Sequence, residues 1–343
     1  TSSIALGVGD VLEAASTPEQ PFSPDHPRNG ALGLFAGAIL GIGVAFIRER
    51  LDDRFRGRPD VERVLEAPVL ATVPRFAHGK RFENSLPVLS EPKGPASEAY
   101  RNLRTGFQFL ASQRGYQTLL VTSPSAHEGK TSTVANLGVA LSQAGRRVVI
   151  VSADLRRPNL ERTFGAQNEL GLSSWLLGEE DDLRKLVLEH PDIPNLSLMT
   201  AGRVPSNPAE LLTSPRLREL IDRLTQYFDL VLFDSPPVLP VADAVILASH
   251  LDSVILIFDA ASTGRNAALH AKEQIERVGG TIIGCVLNAF DPSNTPYYYE
   301  PHYYSAYYGP HEDESGSGDG ETASNFGVED EEDMLDARRR RQK

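Results

Sequence analysis

In the stretch SPSAHEGKTS, Ser123 to Ser132, a glycine, a lysine and two hydroxyl residues follow one another at the spacing used by phosphate-binding loops. Compared with G-x-x-x-x-G-K-[ST], the stretch keeps Gly129, Lys130 and Thr131 and has Pro124 in place of the first glycine. The residues of such a loop, here Ser125, Ala126, His127, Glu128, Gly129, Lys130, Thr131 and Ser132, turn backbone N–H groups toward phosphate, and the lysine neutralises the β and γ oxygens. The Thr131 hydroxyl suits Mg2+, a hard ion that prefers oxygen and water. Two carboxylates stand at comparable places. Asp154 lies in SADLRRP and Asp234 in FDLVLFDSPP, each closing an apolar run where a carboxylate can order Mg2+ and its water. Lys130, Asp154 and Asp234 are therefore the expected catalytic residues, and Thr131, Asp154 and Asp234 the expected Mg2+ contacts. Asn288, in NAFD, has the spacing of the N-K-x-D guanine motif without its lysine; it can contact adenine or cap a strand.

What must position these residues is legible from Gln117 onward. Short β-branched runs (TLLVTSP, RVVIVSAD, NLSLMTAG, DLVLFDSPP, SVILIFDA, TIIGCVLNAF) alternate with helical ones (TSTVANLGVALSQAG, PAELLTSPRLRELIDRLTQYF, GRNAALHAKEQIERVGG). Continuous apolar strands between helices predict an α/β fold: a mostly parallel sheet with helices on both faces, the P-loop NTPase class. Ligands of such sheets bind at the carboxyl ends of the strands, and each motif above falls at such an end.

Upstream, residues 30–47 read GALGLFAGAILGIGVAFI, uncharged throughout and followed by RERLDDRFRGR. That is long enough to cross a bilayer as one transmembrane helix, with Gly33, Gly37 and Gly41 in a G-x-x-x-G series suited to close helix packing. Five arginines crowd its C-terminal flank, which predicts that the chain beyond the span is cytoplasmic and that residues 1–29 end an extracytoplasmic region whose earlier part is missing. Residues 48–95 read as a cytoplasmic linker holding one short helix, RPDVERVL, and one strand, PVLATVP; residues 96–291 read as the nucleotide domain. Residues 292–343, acid-rich from Glu312 to Asp336 and ending in Arg338 to Arg341, Gln342 and Lys343, read as a disordered tail.

Composition narrows the classes. A net charge of −12 without a broad basic face argues against nucleic acid as a partner. Cys285 stands alone, so no disulfide framework or thiolate metal cluster can form within the chain, and no histidine pair has zinc-ligand spacing. The tyrosines are distributed unusually. TPYYYEPHYYSAYYGP holds seven of the ten, Tyr297, Tyr298, Tyr299, Tyr303, Tyr304, Tyr307 and Tyr308, beyond the last regular element.

Together these residues resemble the bacterial-type protein-tyrosine kinases of capsule and exopolysaccharide assembly, related to septum-site and partitioning ATPases. The modified Walker A is Gly129 to Ser132; SADLR matches D-x-D-x-R with Ser152 in place of the first acid; Asp234 to Pro237 match the Walker B form D-x-x-P. EAYRNLR matches the E-x-x-R-x-x-R pattern of ring assembly through Glu98, Arg101 and Arg104, and the tyrosine cluster matches the family's phosphoacceptor tail. The resemblance implies ATP and Mg2+ as cofactors, a ring-like homo-oligomer at the cell membrane, a polysaccharide polymerase and export machinery and a protein-tyrosine phosphatase as partners, and phosphorylation of the tail in trans. A membrane-tethered ATPase switch, a GTPase and a chain-length scaffold are the other readings; the tyrosines distinguish the first, since a switch does not need them.

Overall fold

The computed structural model describes residues 25–51, 53–55, 57–75 and 86–291. In chain order it has α1 (His26–Leu51), α2 (Arg58–Leu65), β1 (Val69–Pro74), α3 (Pro87–Ser90) and α4 (Pro95–Arg114). The nucleotide-type alternation begins with β2 (Thr118–Thr122), α5 (Lys130–Gln143), β3 (Val148–Ser152), α6 (Leu160–Phe164), α7 (Leu172–Leu177), α8 (Leu183–Leu186), β4 (Val187–Glu189) and β5 (Leu196–Met199). It closes with α9 (Pro208–Leu212), α10 (Pro215–Tyr227), β6 (Leu230–Asp234), α11 (Asp243–Ala248), β7 (Ser253–Asp259), α12 (Arg265–Arg277) and β8 (Ile282–Phe290).

The strands form one eight-stranded sheet in the order β1-β8-β7-β2-β6-β3-β5-β4, parallel throughout except where β4 runs against β5. β2, β3 and β6 are buried at every residue, as strands covered on both faces must be. Alternation then sorts their side chains into two layers. Val149, Val151, Val231 and Phe233 pack with Trp175, Leu217, Leu220 and Leu224 from α7 and α10. Val148, Ile150, Leu230 and Leu232 pack with Leu103 and Phe107 of α4 and Leu137 and Leu141 of α5. The contact of α5 with β3 is close enough to need Gly138: a Cβ there would come 2.5 Å from Cδ1 of Ile150.

The sequence read PAELLTSPRLRELIDRLTQYF as one helical run, but the chain breaks it. Pro215 starts α10 after Ser214 in extended conformation, because a proline inside a helix loses a hydrogen bond and strikes the preceding turn. The segment expected as linker also differs. β1 is an edge strand parallel to β8, with Val69 beside Cys285 and the Cys285 N–H donating to the Pro68 carbonyl at 2.9 Å. α2 rests on α12, where the Arg265 guanidinium holds Asp60 at 2.7 Å. Asp53 accepts from the first backbone N–H groups of α12, with its carbonyl on Arg265 N at 2.7 Å and its carboxylate on Asn266 N at 3.0 Å. The sheet domain thus takes in residues 58–74.

α1 is the one described helix long and apolar enough to cross a membrane by length and composition, and none of it is buried against the protein. Leu34, Leu40 and Phe46 are exposed, and nothing lies within 4 Å of a Cβ placed on Gly33, Gly37, Gly41 or Gly43. Cys285 is buried in β8, and burial pushes its thiol up to about 12, which disfavours the reactive thiolate near neutral pH. The tyrosines from Tyr297 to Tyr308 lie outside the described residues.

Candidate functional site

Between β2 and α5 the chain must turn sharply and then aim a helix N-terminus outward. Gly129 adopts φ 92° and His127 φ 64°, and α5 begins at Lys130. The first N–H groups of α5 have no acceptor within the helix, so they are available to an anion. The loop is braced from behind. The carboxylate of Glu128, 3% exposed, accepts from Ser125 N at 2.8 Å and from the Thr263 hydroxyl, while the Asn288 amide donates to the Glu128 carbonyl at 3.0 Å. Burial pushes the Glu128 carboxyl up, opposed by its bonds to Thr263 and Ser125. Gly129 is required for shape as well as for φ: a Cβ would lie 2.0 Å from Nδ2 of Asn288.

Lys130 is nearly buried beside the two strand-end carboxylates. Burial lowers its pKa, and the charges of Asp234, Asp154 and Glu128 oppose that shift. Asp234, at the end of β6, accepts from the Thr131 hydroxyl at 2.8 Å through Oδ2, and its buried Oδ1 has no hydrogen-bond partner. Burial pushes its carboxyl up to about 7, against the bond from Thr131 and the charge of Lys130. Asp154 follows β3 in a turn; its Oδ1 accepts from the backbone of Arg157 at 3.0 Å and of Arg156 at 3.2 Å. Burial raises its pKa too, and those two N–H groups hold it back. Ser152 pairs with Asp234 in register across β3 and β6, fully buried, with its hydroxyl unpartnered.

A cleft of about 1280 Å3 opens above these groups. Of the residues expected from the sequence, it is lined by Ala126, His127, Gly129, Lys130, Thr131, Ser132, Asp154 and Asn288, while Asp234 lies buried beneath Thr131. Ser125 and Glu128 fall outside the lining; Glu128 turns its side chain into the protein and Ser125 gives its carbonyl to the Ser123 hydroxyl at 2.6 Å. Their part is to hold the loop. Asn288 lines the cleft and also ties that loop to β8.

Arg156, the arginine of the D-x-D-x-R match, makes two bonds, 2.8 and 2.9 Å, to the fully buried Asp243 at the start of α11, fixing the turn that carries Asp154. Asp243 could not be found from spacing, because its partner is distant in the chain. Arg75, Arg157, Arg162 and Asp259 complete the rim. On α4, Glu98 and Arg101 form an ion pair at 2.7 Å within the chain, and Arg104 points at the Ala140 carbonyl of α5.

The arrangement can bind a polyphosphate at the α5 N-terminus, neutralise it with Lys130, and present Asp154 to an incoming hydroxyl. Comparison with known proteins places the chain among relatives of known kind. Residues 127–279 match the family described as AAA domain. Tyrosine-protein kinase YwqD of Bacillus subtilis (strain 168) is 35% identical over 214 residues, which make up 62% of this chain and 90% of YwqD. Tyrosine-protein kinase Etk of Escherichia coli (strain K12) is 31% identical over 311 residues, 84% of this chain and 42% of Etk. The chain spans only about two fifths of the length of such longer relatives. Among solved structures, the kinase domain of Escherichia coli tyrosine kinase ETK aligns with TM-score 0.64 and 27% identity over 71% of this chain and 98% of that one. The chimerical protein CapA2B2 aligns with TM-score 0.63 and 33% identity over 68% of this chain and 99% of that one.

Proposed function

This chain belongs to the bacterial tyrosine-protein kinases, and from that premise we propose that it is an ATP-dependent autokinase whose acceptors are the tyrosines of its own C-terminal cluster, in another copy. The observation that carries the reading is the convergence of Lys130, Thr131 and Asp154 on one cleft, with Asp234 bonded beneath Thr131, in a chain with seven clustered tyrosines. In this reading the loop N–H groups and Lys130 hold the phosphates of ATP. The acceptor tyrosine gives its hydroxyl proton to Asp154 as its oxygen bonds to the γ-phosphorus. The bond from that phosphorus to the β–γ bridging oxygen breaks, and ADP leaves with the electron pair. Burial suits Asp154 to this work, since a carboxyl with a raised pKa is a stronger base.

The residues fit Mg2+. Asp234 keeps one buried oxygen unpartnered and already contacts the Thr131 hydroxyl, and hard oxygen donors are what that ion takes. Thr131, Asp234 and Asp154 would hold it, directly or through water, and it would supply charge neutralisation for the phosphates.

α1 would anchor the chain in the cell membrane, with the kinase domain cytoplasmic. Glu98, Arg101 and Arg104 would join copies into a ring, polysaccharide polymerase and export machinery would be the regulated partners, and a tyrosine phosphatase would reset the tail. The test uses γ-labelled ATP and Mg2+. Label should reach tyrosine in the chain, and should vanish with Lys130→Met or with the chain cut before Thr295. Phosphate released to water with no labelled tyrosine would leave an ATPase switch instead.

A further inference from the structure

Five cationic side chains line the cleft of a protein whose net charge is −12: Lys130, Arg75, Arg156, Arg157 and Arg162. Two are already engaged with carboxylates. Lys130 lies among Asp234, Asp154 and Glu128, and Arg156 is spent on Asp243. Arg75, Arg157 and Arg162 are exposed at the mouth and make no side-chain hydrogen bond or ion pair with any described residue, but Arg75 stands alone after β1, whereas Arg157 and Arg162 come as a pair. They come from the same wall, the turn after β3 and α6. The backbone N–H of Arg157 donates to Asp154 at 3.0 Å, so Arg157 belongs to the same turn as the carboxylate that would receive the acceptor's proton.

A pair of unpaired guanidinium groups suits an oxyanion that accepts their forked N–H groups two at a time, and beside a site of phosphoryl transfer the oxyanion at hand is a phosphate monoester. The acceptor sequence supplies that ligand as it reacts. Its tyrosines come in blocks, Tyr297 to Tyr299, Tyr303 with Tyr304, and Tyr307 with Tyr308. Extended chain covers about 3.3–3.6 Å per residue, so a tyrosine three or four places from the acceptor lies roughly 10–14 Å away, at the rim when its neighbour is at the centre. One phosphate brings a charge of about −1.5 to −2, which two arginines offset.

We propose that Arg157 and Arg162 form a phosphotyrosine-binding rim that retains a partly phosphorylated tail from another copy, so that its tyrosines are modified in succession during one engagement. The proposal rests on the tail being the acceptor. It also sets a limit: two arginines offset one phosphate, and further phosphates on the same tail meet no additional unpaired charge on that wall.

The experiment follows intact mass of the chain over time with ATP and Mg2+, in nanodiscs that hold the apolar helix. Multiply phosphorylated chain should appear while the singly phosphorylated form stays scarce. With Arg157→Ala and Arg162→Ala together, the ratio of singly to multiply phosphorylated chain should rise about tenfold, the scale of losing one charge-assisted bidentate contact. Lysine at both positions should restore it only in part, since an ammonium lacks the fork. An unchanged ratio overturns the proposal, and so does an equal loss of ATP affinity in the alanine variant, which would assign the rim to the nucleotide. A second measurement does not depend on turnover. A fluorescent peptide of residues 295–310 bearing phosphate on Tyr303 should bind the chain about tenfold more tightly than the unmodified peptide, and the alanine variant should abolish the difference. If the wild-type chain labels no tyrosine, the kinase reading falls, and the peptide result still decides whether the rim binds phosphotyrosine.

Discussion

At the residue scale the site trades stability for chemistry, and Asp234 is where the trade can be measured. Its carboxyl is pushed up to about 7 by burial, so the folded chain holds a proton there that the unfolded chain releases near the ordinary aspartate value of 3.8. The folded state binds the extra proton between those two values. Stability from this group is therefore greatest at the acid end of that window and declines as pH rises through it. Asp234→Asn removes the ionisation penalty. In nucleotide-free, Mg2+-free protein it should melt several degrees higher than wild type at pH 8, with the gap closing toward pH 5, and it should transfer no label; a gap that grows on acidification would refute the assignment. Gly129 makes the opposite case. Alanine there would meet the Asn288 amide at 2.0 Å in a backbone conformation that disfavours side chains, so Gly129→Ala should cost about 1–3 kcal/mol and reduce ATP binding more than Asn288→Ala, which loses one hydrogen bond worth about 1 kcal/mol. Calorimetric titration with a nonhydrolysable ATP analogue, alongside thermal melts, orders the two.

At the scale of elements, what the sequence could disclose depended on how each strand is buried. β2, β3 and β6 are covered on both faces and write continuous apolar runs, so their ends, and with them Lys130, Asp154 and Asp234, were legible. β1 alternates buried and half-buried residues and lies among prolines and charges, with its partner β8 at the far end of the chain, so VLATVP was recognisable as a strand but not as part of the sheet. α6, α7 and α8 are four to six residues long, too short for helical periodicity to register, which is why the wall bearing Arg162 was not anticipated. The Arg156–Asp243 bond was hidden for a related reason, as a contact between two loops has no spacing to betray it. β1 also shields its neighbour. A chain begun at residue 96 uncovers the edge of β8, whose central residues are buried, and unpaired apolar edges seek other edges. Begun at residue 53, which keeps Asp53 on α12, the chain without α1 should elute as a discrete species with a cooperative melt, whereas the shorter one should aggregate on size exclusion. Equal behaviour of the two would show that β1 is dispensable.

For the whole molecule, the question is how a cleft and its acceptor would meet if, as proposed, they belong to different copies. Confinement answers it in part, because tethering two groups turns a bimolecular encounter into one governed by local concentration. In the proposed reading, the apolar helix of 26 residues before the kinase domain would offer that confinement, and Glu98, Arg101 and Arg104 would offer a contact between copies. The Glu98–Arg101 pair is partly exposed, and such pairs contribute little to a single chain, so exchanging it for one between copies costs little. Transfer in trans can be isolated by dividing the functions. One chain keeps Lys130 but is cut before Thr295; the other carries Lys130→Met and an intact tail. Neither alone should gain label, and the mixture should label the second chain. In detergent the rate per chain should fall in proportion to dilution, while in vesicles of fixed protein-to-lipid ratio it should hardly change when the vesicles are diluted, because only the bulk volume has grown. Label on the Lys130→Met chain by itself, or no label in the mixture when the undivided chain labels efficiently, would place donor and acceptor in the same copy.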